Sequence, residues 1–217
     1  MVRHGVSETN KMQEKGLLGW IMHFFKKDPS LVKEGVENSK KKGEWLSRIM
    51  MEKQKQKPAN HEFSFIDSTS CNTLPDKFEL VLTSELLRAI ETSICMFEQK
   101  LIYVIPYVTE LFGYQNTKPL SKKHQQNIIG LKYPKANVNW KYVGDTPSSP
   151  SFKKFKSFLK QVISKEIREK DEYNVCVVTH SLYMMKYVMS PNLSKCNWFW
   201  RWNVIKPKNN DIIRFQI

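Results

Sequence analysis

A three-layer α/β/α domain with a mostly parallel central sheet is the architecture that this 217-residue sequence predicts. Three observations lead there. Apolar, β-branched runs at 78–83, 101–105 and 173–179 read as buried strands, and they alternate with helical patterns. The clearest of those helices, residues 151–169, sets Phe152, Phe155, Leu159, Val162, Ile163 and Ile167 on one face and lysines on the other. Finally, Arg3 and His4, Ser84 and Arg88, Glu110, and His180 each follow a predicted strand. In open α/β sheets, ligands bind at the carboxyl ends of the strands.

The elements follow in order along a single domain, 1–217. Met1 and Val2 form a first strand truncated to a stub. A strand so short forfeits ladder hydrogen bonds, which predicts either further apolar residues upstream or a looser hold on the histidine that follows. Asp28-Pro-Ser-Leu31 reads as a turn and N-cap for a helix running to about Met51, with Leu31, Val36, Leu46 and Ile49 roughly periodic. Residues 52–76 are polar and read as a loop or insertion. After the strand at 78–83 come a helix at 85–99 and a second strand at 101–105. Residues 111–150 carry turn signals and little periodicity. The strand at 173–179 leads into a helix from Leu182 to Met189, and Ile212–Phe215 reads as a last strand.

The formal charge is +14, carried by 29 lysines and only six arginines, so the placement of an arginine is informative. The lysines are spread over the whole chain and no nucleic-acid-binding module is visible, which argues against specific nucleic-acid binding. Four cysteines (Cys71, Cys95, Cys176, Cys196) lack CxxC spacing and read as reduced thiols of a cytoplasmic protein. The longest apolar run, Gly16 to Phe25, is far too short to span a bilayer. From Leu111 to Gly144 there are six lysines, Lys122 and Lys123 among them, and no Asp or Glu. That stretch reads as either a solvated loop or a basic rim for a polyanionic substrate. The aromatic cluster at 196–204, CNWFWRWNV, reads as packing against the sheet or as an exposed patch.

Four stretches taken together, RHGVSETN, TSELLRAIET, Glu110 in VTEL, and VVTHS, resemble the histidine phosphatase superfamily, also called phosphoglycerate-mutase-like. The first block matches at Arg3, His4, Gly5 and Asn10, and the second at Ser84, Leu86, Arg88, Ala89 and Thr92. DPSLVKEGVENS at 28–39 is similar to a third family stretch, with Val32 in place of a threonine. The resemblance implies a phosphatase that uses neither metal nor cofactor and acts on a small phosphorylated substrate. His4 would be the nucleophile, its other ring nitrogen donating to a backbone carbonyl, and Glu110 the general acid and base. Arg3, Arg88, Asn10 and His180 would hold the phosphoryl group. Guanidinium forks match its oxygens in a way that lysine cannot.

Glu85, Glu91 and Glu98 are rival carboxylates for the acid's role. Val6 and the pair Ser181-Leu182 depart from the family's usual residues and leave substrate choice open. Leu111-Phe112-Gly113-Tyr114 lacks the mutase signature after the acid, which favours phosphatase over mutase. A scaffold that binds without turnover is the remaining alternative.

Overall fold

The computed structural model describes residues 1–22, 24–55, 75, 77–111, 114–146, 148–166, 173–187 and 207–213. Five strands, β1 (Val2–Arg3), β2 (Leu80–Ser84), β3 (Ile102–Ile105), β4 (Val138–Asn139) and β5 (Val175–Thr179), form one sheet in the order β1-β5-β2-β3-β4. All four pairings are parallel. The helices are α1 (Glu8–Gln13), α2 (Gly16–Met22), α3 (Lys33–Lys55), α4 (Leu87–Met96), α5 (Lys122–Lys132), α6 (Phe152–Glu166) and α7 (Ser181–Tyr187).

Strand side chains alternate between faces, and here both faces are covered. Val2, Val81, Ile102, Val104, Cys176 and Val178 join Leu46 and Ile49 of α3 and Ile90 and Ile94 of α4 in one core. Leu80, Leu82, Tyr103, Ile105 and Val177 join Phe155, Leu159 and Val162 of α6 and Tyr183 and Met184 of α7 in the other. These are the three layers that the sequence predicts. Burial at Phe155, Leu159 and Val162 is the i, i+4, i+7 stripe read from α6. Every residue of α4 is buried, because α3 covers its outer side. A Cβ added to Gly43 of α3 would lie 2.4 Å from the Met96 carbonyl oxygen, so only glycine permits that approach.

The first strand is two residues long, Val2–Arg3 rather than Met1 and Val2, and it is partnered on both sides. β1 pairs with β5 on one side, and Val2 bridges Ile212 antiparallel on the other. The backbone at Asn210 to Ile213 supplies the missing partners: Arg3 N donates to Asp211 O, Asn210 N to Arg3 O, and Ile213 N to Met1 O. A return segment distant in sequence thus satisfies the ladder groups of a strand too short to do so with one neighbour.

Two further expectations change. Helix α3 continues to Lys55, into the first residues of the stretch read as an insertion, and most of the rest of 52–76 lies outside the described residues. Between 111 and 150 the chain forms a 3-10 turn (Gln115–Thr117), α5 and β4. Only Gln125 and Ile129 of α5 are buried, too few for an apolar period to stand out. The 196–204 cluster, Cys71 and Cys196 lie outside the described residues, as do the far ends of the helices predicted to Glu169 and Met189 and of the strand predicted at 212–215. Cys95 and Cys176 are buried free thiols. Among the described residues, no helix is long and apolar enough to cross a membrane.

Candidate active site

The parallel strands all deliver their carboxyl ends to one edge, and four of the exits converge there. Arg3 closes β1 and is followed by His4; Ser84 closes β2 and is followed by α4, which carries Arg88. Glu110 lies five residues beyond β3, and His180 separates β5 from α7. Arg3, His4, Arg88 and His180 are buried, and Glu110 is half-buried.

His4 is gripped from several directions. Its amide donates to Thr179 O at 3.0 Å, and its carbonyl accepts from Asn209 Nδ2 at 2.9 Å. Its ring Nδ1 lies 2.7 Å from the Gly5 carbonyl oxygen. A carbonyl only accepts, so Nδ1 carries the proton and Nε2 keeps its lone pair. Arg88 Nε donates to that Nε2 at 3.3 Å, while Arg88 Nη1 is held by Asn116 O at 2.8 Å. Arg3 Nη1 donates to Pro207 O. The His180 ring sits 5.1 Å from that of His4, with its Nε2 2.8 Å from Ser84 Oγ.

The loop after β1 is pressed against α3 and α4. Gly5 N donates to Thr92 Oγ1, which itself donates to the Arg88 carbonyl one turn back on α4. A Cβ on Gly5 would meet Ser39 Oγ at 2.7 Å, and one on Gly35 would meet Val6 O at 2.1 Å. Asn10 sits at the other end of this loop, where its Oδ1 accepts from Ser7 N and Ser7 Oγ and caps α1.

Of the rival carboxylates, Glu85 accepts from Ser148 Oγ at 2.8 Å, and Glu91 accepts from Leu31 N and Lys132. Both are committed to structural donors, and Glu98 is exposed beyond the end of α4. Glu110 accepts from Leu111 N at 3.1 Å and lies within electrostatic reach of Arg3 and Arg88. Among the described residues, no group of three His, Cys, Asp or Glu side chains is arranged to hold a metal ion.

No family model matches the sequence, and no curated protein does. Several solved structures are similar. A mycobacterial glucosyl-3-phosphoglycerate phosphatase is 16% identical with a TM-score of 0.45, over 85% of this chain and 76% of that one. A phosphoserine phosphatase mutant from Entamoeba histolytica is 14% identical with a TM-score of 0.41, over 87% and 76%. The alpha-ribazole phosphatase from Shigella flexneri is 17% identical with a TM-score of 0.36, over 85% and 74%. The likeness is one of backbone alone.

The electrostatics of the cluster follow from burial. Burial pushes Arg3 down to about 10, against the pull of Glu110 and Asp211 and with help from Arg88; it stays a cation at neutral pH. Arg88 is lowered by burial too, with Glu110 and Asp28 opposing. Burial, then the charges of Arg88, His4 and Arg3, hold His180 well below the usual imidazole range, so it is neutral and keeps one N–H. Among the described residues, Arg3 Nε and His180 Nδ1 are buried without a hydrogen-bond partner. Unsatisfied polar atoms are rare in protein interiors, and two in one cluster mark a place for a polar ligand.

Asp28 is the residue that sequence reasoning misplaced. Its carboxylate serves not the helix that follows it but three distant donors: Leu87 N at 2.8 Å, Leu120 N at 2.9 Å and Gln125 Nε2 at 2.6 Å. It is 3% exposed with φ at 43°, a left-handed conformation that Asp tolerates better than most residues. The start of α4, and so Arg88, is tied through it to the 114–125 segment. The carbonyls of Asn116 and Pro207 were also missed, since a backbone acceptor leaves no mark in residue type. Of the two proposed rim lysines, Lys122 donates to Val143 O and shares a depression with Glu85 and Asp145, whereas Lys123 is exposed.

Proposed function

We propose that this chain is a phosphatase of the histidine phosphatase superfamily, hydrolysing phosphate monoesters through a phosphohistidine on His4. The observation that carries the reading is the tautomer of His4. With Nδ1 donating to Gly5 O, the lone pair on Nε2 faces the buried guanidinium of Arg88. A phosphate entering there takes up donors of Arg88, Arg3 Nε and the N–H of His180, and so frees that lone pair to attack.

In the first step the Nε2–P bond forms, the ester P–O bond breaks, and Glu110 gives its proton to the leaving oxygen. In the second, Glu110 takes a proton from water, the water oxygen bonds to phosphorus, and the P–N bond breaks to release inorganic phosphate. His4 must be neutral to attack, and the Nδ1–H tautomer set by Gly5 O leaves Nε2 as the attacking nitrogen. The scheme calls on no metal and no cofactor. Asn10 would help position the phosphate from the end of the loop that it caps, and Lys122 and Lys123 would add positive charge at the rim.

The test compares wild type with His4→Ala on a generic aryl phosphate in the absence of added metal, with acid-quench trapping of an acid-labile phosphoenzyme. Turnover and trapping in the wild type alone are expected. Equal rates in both proteins, with nothing trapped, would exclude the reading.

A further inference from the structure

Helix α2 turns its apolar side outward. Gly19 packs so tightly on α1 that a Cβ there would lie 2.2 Å from the Met12 carbonyl oxygen, which fixes which face is covered. The opposite face presents Leu17, Leu18, Ile21 and Met22, and Phe25 continues it. Five of the nine large apolar side chains exposed among the described residues therefore fall within nine positions. Leu17, Leu18 and Phe25 keep 74%, 71% and 74% of their surface in solvent. Side chains that free project from the molecule and do not line a groove, so they suit a fluid apolar phase better than a rigid partner.

The surroundings of this face are basic. Lys15 and Lys27 flank it and are exposed. Phe24 packs its ring 4.5 Å from that of Tyr114, and Asp28 holds Leu120, so the segment bearing exposed Lys118 adjoins it. Of the acids nearest in sequence, Glu14 and Glu8 are paired with Lys11 and Lys26, and Asp28 is buried. In a self-associated pair this lysine-ringed face would meet its own charge on a chain of net +14. An anionic lipid headgroup layer over an acyl phase matches both the lysines and the apolar projections.

We propose that the α2 face docks this protein peripherally on an anionic lipid bilayer. The Phe24–Tyr114 contact places the docking face beside the 3-10 turn whose Asn116 carbonyl holds Arg88, so the mouth of the His4 site would open next to the membrane. The docking itself does not depend on the reaction at His4.

The experiment is co-sedimentation of the full chain with phosphatidylcholine vesicles, with and without phosphatidylserine, at two salt concentrations. Binding only to the phosphatidylserine vesicles, weakened by salt, is expected. Leu17→Glu with Leu18→Glu should weaken it by roughly a hundredfold or more, and Lys15→Ala or Lys27→Ala by about fivefold each. These side chains are exposed, so circular dichroism and melting should be unchanged, and the His4→Ala variant should bind like wild type. Equal binding to both vesicle types, no binding to either, or a dimer that the double glutamate variant abolishes would each overturn the proposal.

Discussion

The side-chain amide of Asn209 donates to the carbonyl oxygen of His4 at 2.9 Å, bridging 205 positions of sequence to hold the candidate nucleophile from its backbone. With the Thr179 carbonyl accepting the His4 amide, both backbone polar groups of His4 are engaged. A two-residue strand holds the candidate nucleophile because the return segment grips it. Asn209→Ala should therefore lower kcat on an aryl phosphate several-fold with little change in KM, and lower stability by about 1 kcal/mol. Steady-state kinetics and denaturant unfolding check the two effects; an unchanged kcat would make the contact structural only.

Arg88 reaches two acceptors at once, His4 Nε2 through Nε and Asn116 O through Nη1. Lysine is a single point charge and cannot reproduce that fork. Arg88→Lys should keep the fold but cut kcat/KM by about a hundredfold or more, in line with the loss of a preorganised oxyanion donor. Arg88→Ala should be no more than about tenfold worse than Arg88→Lys, because geometry rather than charge is what lysine loses.

Two helical glycines should respond oppositely to alanine. At Gly35 the added Cβ would sit 2.1 Å from Val6 O, a backbone atom that cannot swing away. Gly35→Ala should cost about 3 kcal/mol or more and disturb the loop that carries His4. At Gly130, inside α5, nothing lies within 4 Å, so Gly130→Ala should stabilise by about 0.5–1 kcal/mol. Paired urea titrations would test both signs.

Asp28 titrates at about 6 in the folded chain, raised from 3.8 mainly by burial, with the Leu120, Leu87 and Gln125 hydrogen bonds and Arg88 opposing. Between those two values the folded state retains a proton that the unfolded state has released. The contribution of Asp28 to stability therefore falls as pH rises from about 4 to about 6, by roughly 3 kcal/mol, and is flat above. Other groups titrate in the same window, so the quantity to measure is wild type minus Asp28→Asn. That difference should slope downward across the window, and a flat difference would refute the assignment.

Much of the architecture was legible because β2, β3 and β5 are buried on both faces and must be continuously apolar, and because α6 has one buried stripe among lysines. The candidate site was legible for a related reason. Parallel strands bring their carboxyl ends to one edge, so residues scattered at 3, 4, 88, 110 and 180 become neighbours once the strands are found. Neither reason reached α5, whose two buried residues make no period, or Asp28, whose partners lie 59 to 97 positions away.

The sequence alone determined the layer order, the strand exits and the residue types that meet there, since periodicity and sheet direction are local properties of the chain. Tertiary structure decided how those residues are held: the Gly5 carbonyl that sets the His4 tautomer, the Asn116 and Pro207 carbonyls on the two arginines, and the return segment that completes a two-residue strand. All of these bonds use backbone groups whose partners are chosen by packing, and a backbone carbonyl leaves no mark in residue type.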